Sequence, residues 1–169
     1  MSADITADEP QIIYPESDGK PMADNTLQLD WMMKIIGELR DQFAKQQVFV
    51  AGNLFWYPVK GQPSIVTAPD VFVAFGRPQA YRGSYKQWLE DDVAPQVVFE
   101  ILSPGNSQDE MDDKVDFYDQ HGVEEYYFID PYEEFWLIRQ VRTLPGGSSK
   151  CVAGRTPDRG SRRLDVGVS

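Results

Sequence analysis

Apolar residues recur with helical spacing in the first part of the chain and in short continuous runs after it. Between about Asn25 and Ala44 an apolar residue returns every fourth position, and Met32 and Ile36 widen the resulting stripe. Residues four apart lie on one face of a helix, so this segment predicts an amphipathic helix. The predicted buried stripe consists of Leu27, Trp31, Ile35, Leu39 and Phe43.

Two continuous apolar runs predict buried strands. Residues 71–75 follow Pro69-Asp70, and residues 97–102 are apolar on both faces apart from Glu100. Apolar side chains on both faces are typical of a central strand that is covered on each side. Between the two runs, residues 76–96 contain two glycines and two prolines and predict a long crossing loop with one short helical turn.

Shorter apolar segments predict further strands on either side of these runs. Residues 48–50 and 54–57 flank Gly52-Asn53, which predicts either a hairpin turn or a glycine bulge within one long strand. Residues 125–129 and 135–138 are separated by a polar segment that starts with Asp-Pro. We therefore expect a strand there that turns and pairs back on itself.

A second helix is predicted between the central strand and the last strand pair. Ser107 and Glu110 have the spacing of a capping box, and Gly122 is suited to end the helix. The order of helix, strands, helix and strand pair predicts an α/β (α+β) domain with a mixed central sheet flanked by helices.

Three ionisable residues lie where the pattern predicts burial. Asp70 directly precedes one predicted strand and Glu100 lies inside the other. Lys114 lies on the inward stripe of the second helix, three residues after Met111 and four before Tyr118. Because burying an unpaired charge costs several kcal/mol, such residues are expected to have a partner or a metal ion.

Each of these three residues also has a purely structural interpretation. A Pro-Asp pair often simply begins a strand or a turn. Glu100 could form a buried ion pair with Lys114 on the following helix. Alternatively, Lys114 could pack its stem at the edge of the core while its ammonium reaches water.

The functional interpretation is a metal site for phosphodiester chemistry. Mg²⁺ prefers oxygen ligands and is commonly held by one or two carboxylates together with waters and substrate phosphate. Asp70 and Glu100 are therefore candidate ligands of Mg²⁺ or Mn²⁺, with the main-chain carbonyl of Ile101 as a further ligand and Glu16 as a candidate accessory carboxylate. The ammonium of Lys114 would orient the attacking water or neutralise the charge that develops on the phosphate.

Composition narrows the classes of function. The net charge of −11 argues against avid nonspecific binding to nucleic acid, because such binding depends on Lys and Arg replacing counterions. One cysteine and one histidine exclude an intrachain disulfide and a Cys/His zinc site. The amino terminus is polar and acidic and no apolar run is long enough to span a membrane, so we expect a cytoplasmic protein.

Five segments of the chain form a set of motifs. They are Tyr14 to Met22, Pro69-Asp70, Val98 to Pro104, Lys114 with Phe117-Tyr118, and Gly122 to Pro131. Together they resemble the Uma2 family of the PD-(D/E)xK nuclease superfamily, over a stretch from about residue 12 to residue 138. The resemblance implies a restriction-endonuclease-like core and cleavage of nucleic acid that depends on a divalent metal ion.

Two positions depart from the pattern of that family. The third position of the Glu-x-Lys element is Leu102, so the lysine would be supplied by Lys114 from the helix. Gln28 stands in the first helix where relatives commonly have a histidine. We therefore expect that any role of this position is lost in this chain or was never essential.

The same comparison divides the chain into three parts. These are a flexible amino terminus at residues 1–11, a Uma2-like nuclease-fold domain at residues 12–139, and a basic tail at residues 140–169. The tail does not resemble the closing strands expected of the fold. It is rich in Gly, Ser, Pro and Arg, a composition that predicts disorder.

These observations favour a metal-dependent endonuclease that acts on nucleic acid, with DNA as the favoured substrate. A homodimer would suit it, because cutting both strands needs two sites. The main alternative is a non-catalytic nucleic-acid or protein interaction module on the same fold, which the net charge and the unusual tail favour. A hydrolase that uses Asp70 and Glu100 as an acid/base pair on a sugar would leave Lys114 without a role.

Overall fold

The computed structural model describes residues 11–132 and the backbone of two strands at residues 135–140 and 150–155. A turn of 3-10 helix, Gln87–Leu89, lies in the long loop before the central strand. The α-helices and strands are α1 (Thr26–Gln42), β1 (Val48–Gly52), β2 (Trp56–Tyr57), β3 (Val71–Phe75), β4 (Tyr85–Lys86), β5 (Val97–Ile101), α2 (Gln108–His121), β6 (Glu125–Asp130), β7 (Phe135–Gln140) and β8 (Lys150–Arg155).

Six of the strands form one mixed sheet in the order β1-β3-β5-β6-β7-β8. Strands β5 and β6 are parallel, and the other neighbouring pairs are antiparallel. Helix α2 connects the two parallel strands, as parallel pairing requires a crossover. This arrangement confirms the mixed α/β architecture that the pattern of apolar residues predicts.

Side-chain alternation along the strands builds a core on each face of the sheet. On one face Val71, Val73 and Phe99 pack against α1 through its residues Met32, Ile35 and Leu39. On the other face Phe72 and Val98 pack against α2 and its fully buried Tyr118. The sheet is therefore covered by a helix on each side, which explains why β3 is apolar throughout and β5 is apolar apart from Glu100.

Helix α1 agrees with its prediction in extent and in the burial of Ile35, Leu39 and Phe43, but its first turns bury Gln28 and Met32 more deeply than Leu27 and Trp31. Asn25 caps the helix, because its side chain accepts a hydrogen bond of 2.9 Å from the N–H of Gln28. The buried positions are Gln28, Met32, Ile35 and Leu39, whereas Leu27 is only partly buried. The stripe that faces the sheet therefore begins with a polar side chain.

Helix α2 forms as its capping pattern predicts. The hydroxyl of Ser107 accepts from the N–H of Glu110 at 3.2 Å, and the Glu110 carboxylate accepts from the N–H of Ser107 at 3.0 Å. Gly122 ends the helix in the left-handed region with φ of 90°, which glycine adopts without steric cost.

The prediction for Gly52-Asn53 is wrong, since these residues form neither a hairpin turn nor a bulge. Strand β1 pairs with β3, whereas β2 pairs with β4 in a separate two-stranded parallel sheet. Asn53 has φ of 47°, and its N–H lies 3.1 Å from the Pro69 carbonyl and 3.2 Å from that of Asp70. The chain turns away from the sheet at this point and is held against the residues that precede β3.

Strand β8 lies within the segment 140–169, for which the composition predicts disorder. It pairs antiparallel with β7, from Gln140 opposite Lys150 to Phe135 opposite Arg155. These six positions form an ordered edge of the sheet, so the expectation of disorder does not hold for them. Positions 141–149 and 156–169 lie outside the described residues, as do residues 1–10.

The three-part division of the chain stays a prediction. Within the described part, no helix is long and apolar enough to cross a membrane.

Candidate active site

Strands β3 and β5 bring the two predicted carboxylates to one end of the sheet. Their register pairs Val71 with Phe99, and continued by one position it sets Asp70 opposite Glu100. Because side chains alternate, these positions share the face of the sheet that α2 covers. Both residues line a cleft with a volume of about 510 Å³.

Glu100 forms a buried ion pair with the predicted lysine. Its side chain is 2 % exposed, and its Oε2 lies 2.5 Å from Nζ of Lys114, whose side chain is 33 % exposed. Burial lowers the pKa of Lys114, but the charge and hydrogen bond of Glu100 outweigh this effect and raise it. Lys114 therefore stays protonated. Its ammonium pairs with Glu100 and is not simply exposed to water at the edge of the core.

Tyr118 holds the other oxygen of Glu100. Its hydroxyl donates to Oε1 of Glu100, and its side chain is fully buried. Burial and the neighbouring charge of Glu100 raise the pKa of Tyr118 well above its usual range. Tyr118 is therefore a phenol that donates a hydrogen bond, and it fixes the orientation of the Glu100 carboxylate.

The Asp70 carboxylate is held by the backbone at the end of β5. Its Oδ2 accepts from the N–H of Ile101 at 2.7 Å and from Nε2 of Gln28 at 3.4 Å. Burial and the charge of Glu100 raise the pKa of Asp70, while the Ile101 N–H and Lys114 lower it, and the result is about 7. Near neutral pH this carboxyl is therefore divided between its protonated and ionised forms.

Gln28 contacts two of the predicted ligands, at a position for which no role was expected. Its Nε2 donates to the Ile101 carbonyl at 3.2 Å as well as to Asp70, and its Oε1 accepts from the N–H of Asp24 at 2.7 Å. Because the oxygen of the amide is used by a backbone donor, the NH₂ group must face the cleft. Gln28 thus orients the Asp70 carboxylate and the Ile101 carbonyl together.

A small polar network ties the segment before α1 to the end of β5. The Ser103 hydroxyl donates to the Asp24 carboxylate at 2.8 Å, and the Ser103 N–H donates to the Asn106 side chain at 2.8 Å. The segment around Asp24 consequently forms one wall of the cleft, where it also places Asp18 and Lys20. The sequence pattern did not identify Asp24 or Asn106 as part of this network.

Glu16 is not brought to this site. It is exposed, its carboxylate lies against Gly83, and it does not line the cleft that contains Asp70 and Glu100. Its charge acts on Tyr57 instead, where it adds to the effect of burial in raising the pKa of the phenol.

The oxygen groups of the cleft fit a hard divalent cation. Asp70, Glu100 and Ile101 all line the cleft, and the Ile101 carbonyl keeps a second lone pair beside its bond to Gln28. In the described part of the chain, no group of three or more His, Cys, Asp or Glu side chains forms a ready-made metal cage. This donor set suits Mg²⁺, which commonly keeps several waters and takes few protein ligands.

A mixed sheet covered on both faces, with carboxylates at the ends of β3 and β5, defines a restriction-endonuclease-like fold. Among solved structures, the chain resembles a protein from Anabaena variabilis that is described as a putative nuclease belonging to DUF820. The two share 17 % sequence identity with a TM-score of 0.56, over 78 % of this chain and 69 % of the other. At this identity the likeness shows the fold.

A family model establishes the relationship. The model of Uma2, described as "Putative restriction endonuclease", matches residues 10–141. The chain belongs to the Uma2 family, which confirms the resemblance that its motifs predict. None of the curated proteins matches the sequence.

Proposed function

We propose that this protein is a nuclease that hydrolyses phosphodiester bonds of nucleic acid with the help of a divalent metal ion. The observation that carries the proposal is that Asp70, Glu100 and Lys114 meet in one cleft. Membership of the Uma2 family supports the nuclease class. Asp70, Glu100 and the Ile101 carbonyl would hold Mg²⁺ or Mn²⁺, which would supply an activated water and polarise the phosphodiester.

The side chains of the site have separate tasks in this proposal. Lys114 keeps its proton and is partly exposed, so its ammonium can donate to a phosphate oxygen or to the attacking water. Tyr118 fixes Glu100, and Gln28 fixes Asp70. Because a carboxylate must be ionised to bind a cation, we expect affinity for the ion to rise with pH through the Asp70 pKa of about 7.

A second candidate function is a non-catalytic interaction module on the same fold. One observation favours it. Each oxygen of the Glu100 carboxylate already accepts a hydrogen bond, from Lys114 or from Tyr118, so this carboxylate is satisfied by the protein alone. The net charge of −11 points the same way, because it disfavours tight binding to phosphates. The two candidates differ in whether the cleft binds a divalent ion.

Addition of Mg²⁺ or Mn²⁺ is expected to raise the melting temperature of the protein. A ligand that binds only the native state at a hundredfold excess over its Kd stabilises it by about 2.7 kcal/mol. For a chain of this size that corresponds to a rise of roughly 5 °C or more. Thermal melts in EDTA and in increasing metal concentration measure the effect.

Asp70→Ala is the control for the thermal melts and for activity. Supercoiled plasmid and a single-stranded oligonucleotide are incubated with each protein in Mg²⁺, Mn²⁺ or EDTA. The nuclease proposal expects cleavage by the wild type in metal alone and none by the variant. Absence of both a metal-dependent melt and cleavage in the wild type would support the interaction module instead.

Gln28→Leu is expected to weaken binding of the metal ion by about tenfold, because loss of a group that orients the ligands typically costs ten- to a hundredfold in affinity. The substitution places an apolar side chain of similar size on the buried stripe, and it removes the donor to Asp70 and Ile101 together with the acceptor of the Asp24 N–H. Titration of Mn²⁺ followed by electron paramagnetic resonance gives the Kd directly.

Ser107→Ala is the matched control for Gln28→Leu. It also removes a polar group with a structural hydrogen bond, but at the N-cap of α2 and not against the ligands. We expect it to lower stability by about 1 kcal/mol and leave the Kd unchanged. Equal metal affinity in the wild type and Gln28→Leu would contradict the orienting role of Gln28.

A further inference from the structure

A second depression lies along the free edge of the sheet, beside the candidate active site. It follows strand β1 and has a volume of about 460 Å³. We call it the edge groove and define it by Arg40, Val50, Gln79, Tyr81 and Arg82. Among the described residues, no carboxylate lines it, although the chain as a whole carries a net charge of −11.

The edge groove and the cleft share one wall. Gly52 and Leu54 line the groove, whereas the intervening Asn53 and the following Phe55 line the cleft. Asn53 is held at the start of β3 by its hydrogen bonds to the carbonyls of Pro69 and Asp70. The four residues from Gly52 to Phe55 therefore separate the two depressions.

The backbone at the centre of the groove is already satisfied by side chains. The N–H of Val50 donates to Oε1 of Gln79 at 2.9 Å, and its carbonyl accepts from a guanidinium nitrogen of Arg40 at 3.0 Å. An added peptide strand would need these two groups for pairing. Side chains that cover an edge in this way disfavour strand addition by another protein or by a second copy of this chain.

The two arginines of the groove differ in the charge that they offer. Arg82 is neutralised by two hydrogen bonds to the Glu90 carboxylate, at 2.6 Å and 3.0 Å, and lies 4.1 Å above the centre of the Phe49 ring. Arg40 has no carboxylate partner among the described residues, and its bond to a neutral carbonyl leaves its charge available. Tyr81 adds an aromatic ring that is 93 % exposed.

We propose that the edge groove binds a single-stranded flank of the nucleic acid whose scissile phosphodiester lies in the cleft. Arg40 would bind a backbone phosphate, and the exposed ring of Tyr81 would stack on an unpaired base. This proposal rests on the proposed nuclease function, and it names single-stranded nucleic acid as the substrate class. Guanidinium groups and exposed aromatic rings are the usual partners of phosphates and unpaired bases.

Binding of fluorescein-labelled oligothymidylate and oligouridylate in EDTA tests the proposal by fluorescence anisotropy without cleavage. Tyr81→Ala is expected to raise the Kd about tenfold, because stacking on an aromatic ring contributes about 1–3 kcal/mol per base. Arg40→Gln is expected to raise it about fivefold and to lower the slope of log Kd against log salt by about one. The two oligonucleotides distinguish DNA from RNA as the source of the strand.

Lys34→Gln is the charge-matched control. Lys34 is also on α1, but its ammonium lies 5.3 Å from the centre of the Trp31 ring and does not line the groove. We expect this variant to change the Kd by less than about twofold, since a charge outside the contact surface acts only through screened, long-range attraction. An equal loss of affinity in Lys34→Gln and Arg40→Gln would show that only the net charge of the protein matters, and it would overturn the proposal.

Other outcomes are also decisive. No measurable binding by the wild type, or unchanged binding in both Arg40→Gln and Tyr81→Ala, overturns the groove assignment. A dimer in sedimentation velocity that Arg40→Gln dissociates would instead assign the groove to a second copy of this chain. Metal-dependent cleavage without dependence on Arg40 or Tyr81 leaves the nuclease proposal standing and refutes the groove proposal. Binding that depends on Arg40 and Tyr81 without any cleavage refutes the nuclease proposal and leaves the groove only as a binding site for single strands.

Discussion

Asp70→Asn is expected to abolish metal-dependent cleavage while leaving the protein folded. The amide keeps the size of the side chain and can still accept from the N–H of Ile101, which lies 2.7 Å from Oδ2 in the wild type. It cannot supply the negative charge that a divalent ion requires. Because metal assistance contributes several kcal/mol to transition-state stabilisation, we expect the cleavage rate to fall by about a thousandfold or more.

The same variant is expected to be more stable than the wild type in EDTA above neutral pH. The pKa of Asp70 is raised from 3.8 in the unfolded chain to about 7 in the folded protein, first by burial and then by the charge of Glu100. The folded state therefore binds more protons than the unfolded state in this range, and wild-type stability falls as pH rises from about 4 to about 7. Asparagine does not titrate, so its advantage grows over that window to roughly 2–4 kcal/mol.

Urea denaturation at several pH values measures this difference, and a plasmid assay in Mg²⁺ measures cleavage. The prediction requires opposite signs in the two experiments: higher stability and lost activity. Full cleavage by Asp70→Asn would remove Asp70 from the proposed ligands. A difference in stability that does not change between about pH 4 and pH 8 would instead show that Asp70 is not strained by burial and by Glu100.

Much of the site follows from short-range pattern, because its residues are embedded in strong secondary-structure signals. Glu100 interrupts an apolar run, and the capping box at Ser107 fixes the phase of α2. That phase places Lys114 and Tyr118 on the inward face, where both bond Glu100. The predicted pairing of Lys114 with Glu100 is therefore a consequence of helix periodicity and of the order of the elements.

Gln28 and Asp24 illustrate what the pattern does not contain. The periodicity of α1 is shared almost equally by two stripes, and only packing against the sheet selects the one that begins at Gln28. The available signal for a polar contact inside the protein was Gln28, a polar residue four positions before Met32 and therefore on the same face of the helix. Asp24 reaches Ser103 across 79 positions of sequence, a contact that no local spacing encodes.

The prediction for the path of the chain after β1 is wrong for a related reason. Gly52-Asn53 has the composition of a hairpin turn, and this local preference predicts a turn there. A Cβ on Gly52 would lie 2.5 Å from the side chain of Ile36, so the glycine serves a close approach of α1 and not a turn. The Asn53 N–H bonds carbonyls that precede β3, which are remote in sequence. Tertiary contacts therefore override the local signal here.

Lys114→Met is expected to destabilise the protein and to abolish cleavage, and the two effects must be separated. Removal of the ammonium leaves Glu100, which is 2 % exposed, without its cation. Breaking a buried pair costs about 3–5 kcal/mol, and we expect about 2 kcal/mol here because water reaches the lysine. Denaturation with urea gives this loss, and cleavage in Mg²⁺ gives the change in activity.

Combining Lys114→Met with Glu100→Gln distinguishes a structural ion pair from a catalytic one. The double variant buries no charge at position 100, and the hydroxyl of Tyr118 can still donate to the amide oxygen, so most of the lost stability is expected to return. Activity is expected to stay absent, because a metal ligand and the catalytic cation are both missing. Recovery of cleavage together with stability would show that Lys114 and Glu100 only hold the fold, and would remove both from the proposed catalytic residues.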